Sequence, residues 1–288
     1  MSIFIDSHVH IHPEFDLDRF FSAALDNFSR AAVLQDTSDN SRYILVLTEG
    51  GDSDVFSSLR QKAISFEEVS SRQSESDSFV FYKTAESNSL IVCKGSQSII
   101  LVAGRQLVSK ENIELLSLFS SIKMKDKTLS LADLAQAVTD NNGLAVIPWG
   151  VGKWFGARGK VINNLLCSKL ESPLFFGDNG NRPLLWPTPA LLQRARDLGA
   201  PLLSGSDPLP LPSHVNRPAS SGTVLLHGDL SMEYPAASLR KLLLTAKKDT
   251  LELKSFGRRI GFLQFLSDQL RINLGKRFSH LFSLFMYF

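Results

Sequence analysis

The chain has 288 residues, 43% of them hydrophobic and 21% charged, and its 31 basic and 29 acidic residues give a formal net charge of +2. This is the composition of a globular protein with a substantial core, and the near-neutral charge gives no argument for nucleic acid or an anionic membrane as partner. We therefore expect neither. Cys93 and Cys167 form no metal-ligand or redox spacing, so a cytoplasmic setting is the default expectation.

The start of the chain lacks the pattern of a signal peptide, and no apolar run reaches the roughly 18 residues of a membrane span. Residues 2–11, SIFIDSHVHI, predict a buried strand, and the apolar residues of 17–28 recur at helical spacing. Residues 42–50 predict a second strand and residues 55–64 a short helix. This alternation favours an α/β fold with parallel strands.

The rhythm breaks at residues 66–98, which are rich in Ser, Glu and Lys. Residues 78–86 and 89–96 read as two neighbouring strands joined by a polar turn. We therefore predict an inserted β-hairpin at about 66–98. The core then resumes with a strand at 98–104, and 112–122 is typical of a helix.

The second half of the chain has well-marked helix boundaries. Ser130 can cap a helix that Gly143 ends, and Thr188, Pro189 and Gly199 delimit another in the same way. The remaining elements are predicted strands at 144–150, 172–180, 200–208 and 222–229 and helices that begin near Pro235 and Arg258, so that C-terminal helices occupy about 235–288.

Six or seven strand–helix units with one insertion favour a single domain, 1–288, built as a closed parallel barrel of seven or eight strands. A doubly wound open sheet is the alternative. Both architectures place functional residues just beyond the carboxyl ends of strands. The apolar tail, 280–288, is expected to pack under the domain or at a homodimer contact.

Three of the six histidines fall on alternate positions at the end of the first predicted strand: His8, His10 and His12. Residues two apart on a strand share a face and lie roughly 6 to 7 Å apart, so His8 and His10 can converge on one cation. His12 precedes Pro13 and is a weaker candidate. The alternative is a polar rim whose histidines are hydrogen-bonded without metal.

Carboxylates follow other predicted strands. Asp178 in FFGDNGNRP could be a metal ligand or a general base, or it could simply form an Asp-Asn-Gly turn. Glu49 in TEGGD could bridge metal ions, or lie at a solvated loop end. His214 and His227 are further, weaker ligand candidates.

The stretch PWGVGKWFGARGK combines a strand end, glycines, cations and tryptophans. A strand, a glycine-rich turn and a helix start can bind an anion. Lys153 and Arg158 are candidates for binding a substrate phosphate or carboxylate beside Trp149, and Arg182 is another. The alternative is a flexible loop with a packed Trp149.

The motif IDSHVHIH resembles the opening of the metal-dependent hydrolases with a distorted TIM barrel: the amidohydrolases, the TatD-type nucleases and the PHP phosphoesterases. LLSGSDPLP is similar to the late strand of that group, which supplies a metal-binding aspartate. The resemblance implies a distorted (β/α)7–8 TIM-like barrel. It also implies that His8, His10 and Asp207 bind one or two divalent ions, zinc, manganese or iron, with Asp178 and Glu49 as added candidates.

The chain departs from this group in two ways. Arg105 and Gln106 occupy the place where PHP proteins have a Gly-x-Glu strand end, and no histidine lies between His12 and His214. The first hypothesis is a metal-dependent hydrolase for a small anionic substrate, and the basic groups favour a phosphate ester over an amide. In it Asp178 or Asp207 takes the proton, and Lys153, Arg158 or Arg182 neutralises the substrate. Of these three cations, Lys153 is also the candidate for a catalytic role. The second is a barrel that has lost catalysis and binds a ligand or a protein.

Overall fold

The computed structural model describes residues 1–37, 41–65, 78–124, 127–168, 173–245 and 253–285, the last eleven of these by their backbone alone. The strands within these ranges are β1 (Ser2–Val9), β2 (Ser41–Leu47), β3 (Glu49–Gly50), β4 (Ile64–Ser65), β5 (Val80–Lys83), β6 (Ser89–Lys94), β7 (Gln97–Val102), β8 (Gly104–Val108), β9 (Glu114–Leu118), β10 (Leu144–Pro148), β11 (Phe175–Asn179), β12 (Leu202–Gly205), β13 (Ser221–Leu225) and β14 (Leu253–Gly257). The helices are α1 (Leu17–Leu34), α2 (Val55–Lys62), α3 (Leu131–Asp140), α4 (Gly156–Cys167), α5 (Ala190–Asp197), α6 (Pro235–Thr245) and α7 (Phe262–Phe285), with a 3-10 helix at Pro212–Asn216.

The strands form two mixed sheets. One has the order β14-β13-β1-β2-β7-β6-β5-β4, and the other has the order β12-β11-β10-β9-β8-β3. β1, β2 and β7 are parallel, as are β10, β11 and β12, while β13 and β9 are antiparallel to their neighbours. The mixed α/β class is therefore confirmed. A closed barrel is not, because strand pairing among the described residues gives two separate sheets.

The two sheets face each other across a shared apolar interior. That interior contains side chains of both sheets: Ile3, Ile5, Ile44, Val46, Ile100, Leu116, Val146, Phe175 and Leu203. Helix α6 packs against the same cluster through Ala236 and Leu239. Burying these side chains fixes the phase of each strand, because alternate residues must point to opposite faces.

The outer faces of the sheets are covered by amphipathic helices. Helix α1 buries its Phe20, Phe21 and Phe28 against the first sheet. Its N-cap is Asp16, whose side chain accepts a hydrogen bond from the Arg19 N–H. Helices α3, α4 and α5 cover the second sheet in the same way, around Phe176.

The predicted hairpin is described only in part, because residues 66–77 lie outside the described ranges. β5 and β6 form the expected antiparallel pair. The pair is part of the first sheet, since β6 is also antiparallel to β7. The last residues of the apolar tail, 286–288, also lie outside the described ranges.

Two element predictions were wrong. Residues 112–122 were expected to be helical but contain β9, because Leu115, Leu116 and Leu118 are buried in a strand paired to β8 and β10. β14 was not predicted at all, since it is an edge strand with little apolar pattern. Within the described residues, no helix has both the length and the hydropathy that crossing a bilayer requires.

Candidate metal centre

The candidate site begins at the carboxyl end of β1. The register of β1 against β2 shifts between Asp6 and Val9, a stretch that contains His8, and the side chains of His8 and His10 turn towards each other. Their rings meet edge to face with centroids 5.0 Å apart, and their Nε2 atoms are 3.1 Å apart. The two side chains thus share a face, as strand alternation predicts.

Asp207 joins the two histidines from the end of β12. Its Oδ1 lies 3.5 Å from His8 Nε2 and 3.6 Å from His10 Nε2. The backbone of Asp207 has a φ of +49°, and its N–H donates to the His8 carbonyl at 2.8 Å. Within the described part of the chain, these three residues are the group of His, Cys, Asp or Glu side chains whose ligand atoms all lie within 4.8 Å of one another.

This donor set fits a divalent cation. Two imidazole nitrogens and one carboxylate oxygen are ligands that zinc, manganese and iron accept. Donor atoms sharing one ion at bond lengths of about 2.0 to 2.2 Å lie roughly 3.3 to 3.6 Å apart. The observed separations of 3.1, 3.5 and 3.6 Å are close to that range. The sequence-based prediction that these three residues are metal ligands is therefore compatible with their geometry.

The electrostatics of the cluster favour a bound cation. Burial, with His8 next to it, lowers the pKa of His10 to about 3, so its imidazole is neutral and has a lone pair to offer. Burial acts to raise the pKa of Asp207, but the nearby His8, His10 and Lys153 outweigh it and hold that pKa below its usual value. Asp207 is therefore an anion suited to be a ligand and a weak proton acceptor.

Two asparagines that the sequence analysis missed hold Asp207 in place. Asn179 Nδ2 donates to Asp207 Oδ2 at 3.0 Å and to the carbonyl of Trp149 at 2.9 Å. Asn181 Nδ2 donates to the Asp207 carbonyl at 2.6 Å. Such outer hydrogen bonds orient a ligating carboxylate. Their signal in the sequence is the run DNGN at 178–181, of which the sequence analysis considered only Asp178 as a functional residue.

The side chain of Asp6 makes a further connection between β1 and the segment after β12 that contains Asp207. Asp6 is fully buried, and its carboxylate accepts from the Ser206 N–H at 2.8 Å, the Ala219 N–H at 2.7 Å and the Ser206 hydroxyl. Burial raises the pKa of Asp6 to about 6, against the opposing effect of these hydrogen bonds. Asp6 therefore fixes the residue that precedes Asp207.

The three candidate ligands open into a cavity of about 560 Å³. Gln106 lines it, with Oε1 3.3 Å from His8 Nε2. Lys153 also lines it and forms an ion pair with Glu114, a cavity residue that the sequence analysis missed. The volume is within the range of small-molecule sites.

Glu49 lines the same cavity but has another partner. Its Oε1 accepts from the backbone N–H groups of Val55 and Phe56, and it therefore caps the start of α2. His12 lies at the rim, where its Nε2–H donates to the Pro208 carbonyl at 2.9 Å. Neither residue belongs to the group of three converging donors described above.

The structure does not bring Asp178 to the histidines. Asp178 and Asn179 are consecutive on β11 and face opposite sides of the sheet, and it is Asn179 that reaches Asp207. The Asp178 carboxylate is instead paired with Arg182, whose Nε donates to its Oδ1 at 2.9 Å. Both residues line a different cavity.

Two other predicted substrate-binding residues also lie elsewhere. Trp149 is buried in the outer core of the second sheet, edge to face with Trp186 at 6.3 Å. Arg158 is half-buried on α4, and its guanidinium donates to the Gly152 carbonyl at 2.9 Å. His227 is exposed beyond β13, which is antiparallel to β1 and so ends at the opposite end of the sheet. Lys153 alone of the predicted glycine-rich loop lines the cavity of the metal centre.

No protein-family model matches the chain, and no curated protein sequence matches it. The backbone is similar to several solved structures, of which three are compared by identity to this chain, coverage of the two chains and TM-score. The lesion-specific endonuclease PfuEndoQ from Pyrococcus furiosus is 11% identical over 89% of this chain and 59% of its own, with a TM-score of 0.54. PsfC from Pseudomonas syringae is 12% identical over 96% and 98%, with a TM-score of 0.48. A two-domain protein from Bacteroides vulgatus that contains a predicted PHP-like metal-dependent phosphoesterase is 13% identical over 78% and 58%, with a TM-score of 0.40.

The likeness to the endonuclease shows that the two proteins share a mixed α/β fold. This chain spans 59% of the length of that endonuclease.

The comparison also corrects the expectation that nucleic acid is not a partner. A protein of the same fold is a lesion-specific endonuclease, so the exclusion based on composition was wrong. Its physical weakness is that a net charge of +2 is a sum over the whole chain and does not exclude a local cationic surface.

Proposed function

We propose that this chain is a metal-dependent phosphoesterase that binds one divalent cation, zinc, manganese or iron, through His8, His10 and Asp207. The observation that carries the proposal is the convergence of two imidazole Nε2 atoms and one carboxylate oxygen within 4.8 Å of one another, at the mouth of a 560 Å³ cavity. The fold in common with an endonuclease supports hydrolysis of a phosphate ester over that of an amide.

A divalent cation held there supplies Lewis-acid polarisation of the substrate and a lowered pKa for water. The residues of the chain do the rest. His10 presents a neutral nitrogen donor, His8 offers a second imidazole nitrogen, and Asp207 contributes the negative charge that favours a dication. Because its pKa is held low, Asp207 is assigned here to binding the ion and not to taking the proton.

Lys153 is the proposed substrate-binding cation. It lies on the cavity wall, where it forms an ion pair with Glu114, and its side chain remains 42% exposed. An ammonium group there attracts an anionic substrate and neutralises charge that develops on a phosphoryl oxygen. Glu114 limits the positions that the ammonium can adopt.

The experiment is metal loading followed by hydrolysis assays. Protein stripped with EDTA is reloaded with zinc, manganese or iron. It is then assayed on a phosphate monoester, a phosphate diester, an amide and a DNA duplex that carries a lesion. We expect near-stoichiometric metal and turnover of at least one phosphate ester, and the loss of both in the double variant His8→Ala/His10→Ala. The matched control is His227→Ala, which removes an exposed imidazole at the far end of the sheet. Unchanged metal content and turnover in the double variant would refute the proposal.

A second candidate function is ligand or protein binding without catalysis. It is favoured by Gln106, a neutral amide beside His8 where the resembling PHP proteins have a glutamate. A neutral side chain contributes less than a carboxylate to holding a dication. Little bound metal and no hydrolysis of any ester in the loaded wild-type protein would favour this function over the first.

A further inference from the structure

A second cavity, of about 610 Å³, lies where β11 and β12 of the second sheet approach β13 and β14 of the first, and we call it the arginine cavity. Its wall includes four guanidinium groups and one carboxylate: Arg182, Arg196, Arg258, Arg259 and Asp178. One of the four cations is neutralised by the Arg182–Asp178 ion pair, so the wall has a formal excess of three positive charges among these residues.

The arginine cavity and the metal centre adjoin at the end of β11. Asp178 and Asn179 both line the arginine cavity, and the Asn179 side chain also donates to Asp207 in the metal centre. The candidate ligands His8, His10 and Asp207 are not among the residues that line the arginine cavity. A ligand there therefore does not compete for the candidate metal ligands.

The cationic groups are held by the surrounding backbone. Arg259 Nη1 donates to the Trp186 carbonyl at 3.2 Å and Nη2 to the Leu184 carbonyl at 3.1 Å, and Arg182 Nη1 donates to the same Trp186 carbonyl at 2.9 Å. The Arg182 and Arg259 guanidinium groups therefore share one acceptor and lie close together. Burial, with the Arg182 cation nearby, lowers the pKa of Arg259. The structure thus keeps like charges adjacent, an arrangement that an anion stabilises.

Two further arginines extend this cationic surface into solvent. Arg196, in the last turn of α5, and Arg258, after β14, are both exposed. Within the described residues, no ion pair to a carboxylate involves Arg196, Arg258 or Arg259. Hydroxyl groups of Ser204, Ser221 and Ser255 also line the cavity, and the Ser204 and Ser255 Oγ atoms are 3.0 Å apart.

We propose that the arginine cavity is a second binding site, for a phosphate group. Arginine presents a planar set of N–H donors that matches phosphate oxygens in pairs, and serine hydroxyls add neutral donors. The phosphate can come from a polynucleotide strand or from a small phosphorylated molecule, because the cavity chemistry is the same for both. This site is independent of the proposed hydrolysis.

The test measures binding by EDTA-treated protein of inorganic phosphate, adenosine monophosphate and a fluorescein-labelled single-stranded oligonucleotide. Calorimetry is used for the first two probes and fluorescence anisotropy for the third. In the double variant Arg196→Ala/Arg258→Ala we expect at least a tenfold loss of affinity for every probe that the wild type binds, because each lost charge-assisted hydrogen bond weakens binding by about tenfold. The matched control, Arg194→Ala/Arg271→Ala, removes two exposed arginines that do not line the cavity and should bind as the wild type does.

The probes identify the source of the phosphate. Binding of the oligonucleotide with a steep salt dependence, and not of adenosine monophosphate, assigns a strand; binding of adenosine monophosphate assigns a small molecule. Repeating the titration in His8→Ala/His10→Ala should leave the affinity unchanged. The proposal is overturned if no probe binds the wild type, if the cavity variant binds like the wild type, if the control loses as much affinity, or if binding disappears with the histidines. Circular dichroism verifies that each variant is folded, and Arg258→Glu alone provides a second, charge-reversed test.

Discussion

The backbone N–H of Asp207 donates to the carbonyl of His8 at 2.8 Å. This hydrogen bond joins the end of β12, the edge strand of the second sheet, to the end of β1 within the first sheet. It also brings the Asp207 carboxylate to within 3.6 Å of both imidazoles. The candidate ligands are thus brought together by backbone contact between the strands, and substitutions that disturb this junction should weaken metal binding without touching a ligand.

The first prediction concerns Asp6, whose carboxylate accepts hydrogen bonds from the buried backbone N–H groups of Ser206 and Ala219. Asp6→Ala leaves the N–H groups of Ser206 and Ala219 without their acceptor. We expect a loss of about 3 kcal/mol or more in the free energy of unfolding, since each orphaned buried donor costs about 1 to 3 kcal/mol. Urea denaturation measures this loss, and zinc titration should show weaker binding. Asp26→Ala, an exposed aspartate on α1, is the control; equal stability of the two variants would contradict the prediction.

The second prediction concerns Gly205, the last residue of β12. A Cβ at this position would lie 2.5 Å from the backbone N of His8 and 2.5 Å from its Cβ, which forces β12 away from β1. Gly205→Ala should therefore destabilise the protein by about 1 to 3 kcal/mol, the usual cost of overpacking, and lower metal affinity. Thermal denaturation and metal titration measure both effects.

The control for Gly205 is Gly261→Ala, because a Cβ at Gly261 meets no atom within 4 Å. We expect this variant to retain wild-type stability and metal affinity. A Gly205→Ala protein as stable as the Gly261→Ala protein would mean that the junction tolerates separation of the strands.

Local patterns in the sequence predicted much of the fold. The helix at Leu131–Asp140 begins at Ser130, whose side chain accepts from the Asp133 N–H, as its capping pattern indicates. His8 and His10 are two residues apart on a predicted strand, and this spacing predicted that their side chains share a face. Such features depend on residues only a few positions apart, and so they can be read without the rest of the chain.

Long-range pairing was less predictable. Leu115, Leu116 and Leu118 fit a helical spacing, yet pairing with β8 and β10 makes this segment a strand. No local pattern in the sequence indicates that β13 runs antiparallel to β1. These choices depend on which partner strand is available, and this information lies far away in the sequence.

The candidate site was predicted in part because one residue of register decides which side chain enters it. Phe175 and Phe176 are both buried, one in the interior and one under the helices, so their pattern does not reveal the phase of β11. The sequence analysis chose Asp178, whereas Asn179 faces Asp207. His8, His10 and Asp207 do come together, but their role as ligands stays a prediction until metal is measured.

The third prediction concerns Gln106, whose Oε1 is 3.3 Å from His8 Nε2. Gln106→Glu adds a negative charge beside the proposed cation, so it should increase metal affinity by about tenfold or more, an electrostatic gain of roughly 1.4 kcal/mol. Competition with a chromogenic chelator measures the affinity. Gln97→Glu adds the same charge at an exposed position on β7 and should change it little. Equal effects of the two substitutions would indicate that Gln106 is not at the metal site.

The fourth prediction separates the two aspartates of the original hypothesis. Asp178→Asn removes the charge partner of the buried Arg182, so it should destabilise the protein by about 2 to 4 kcal/mol, while metal content remains that of the wild type. Asp207→Asn should do the reverse, with metal lost and most of the stability retained. Elemental analysis and urea denaturation on both variants provide the comparison. Loss of bound metal in the Asp178→Asn variant would contradict this prediction and indicate that Asp178 contributes to metal binding.

The fifth prediction is a pH dependence of stability at His214, which is buried against Asp268 of α7. Its Nδ1 accepts from the Leu209 N–H, and its Nε2 lies 3.1 Å from Asp268 Oδ2. Burial, with Arg217 nearby, lowers the pKa of His214, against the opposing effect of Asp268. Below about pH 6.5 the unfolded chain therefore binds a proton that the folded chain does not, and the contribution of this residue to stability is lost as the pH falls. Urea denaturation between about pH 7.5 and 5.5 should show a stability difference between wild type and His214→Gln that shrinks towards low pH. A constant difference across that range would contradict the assignment.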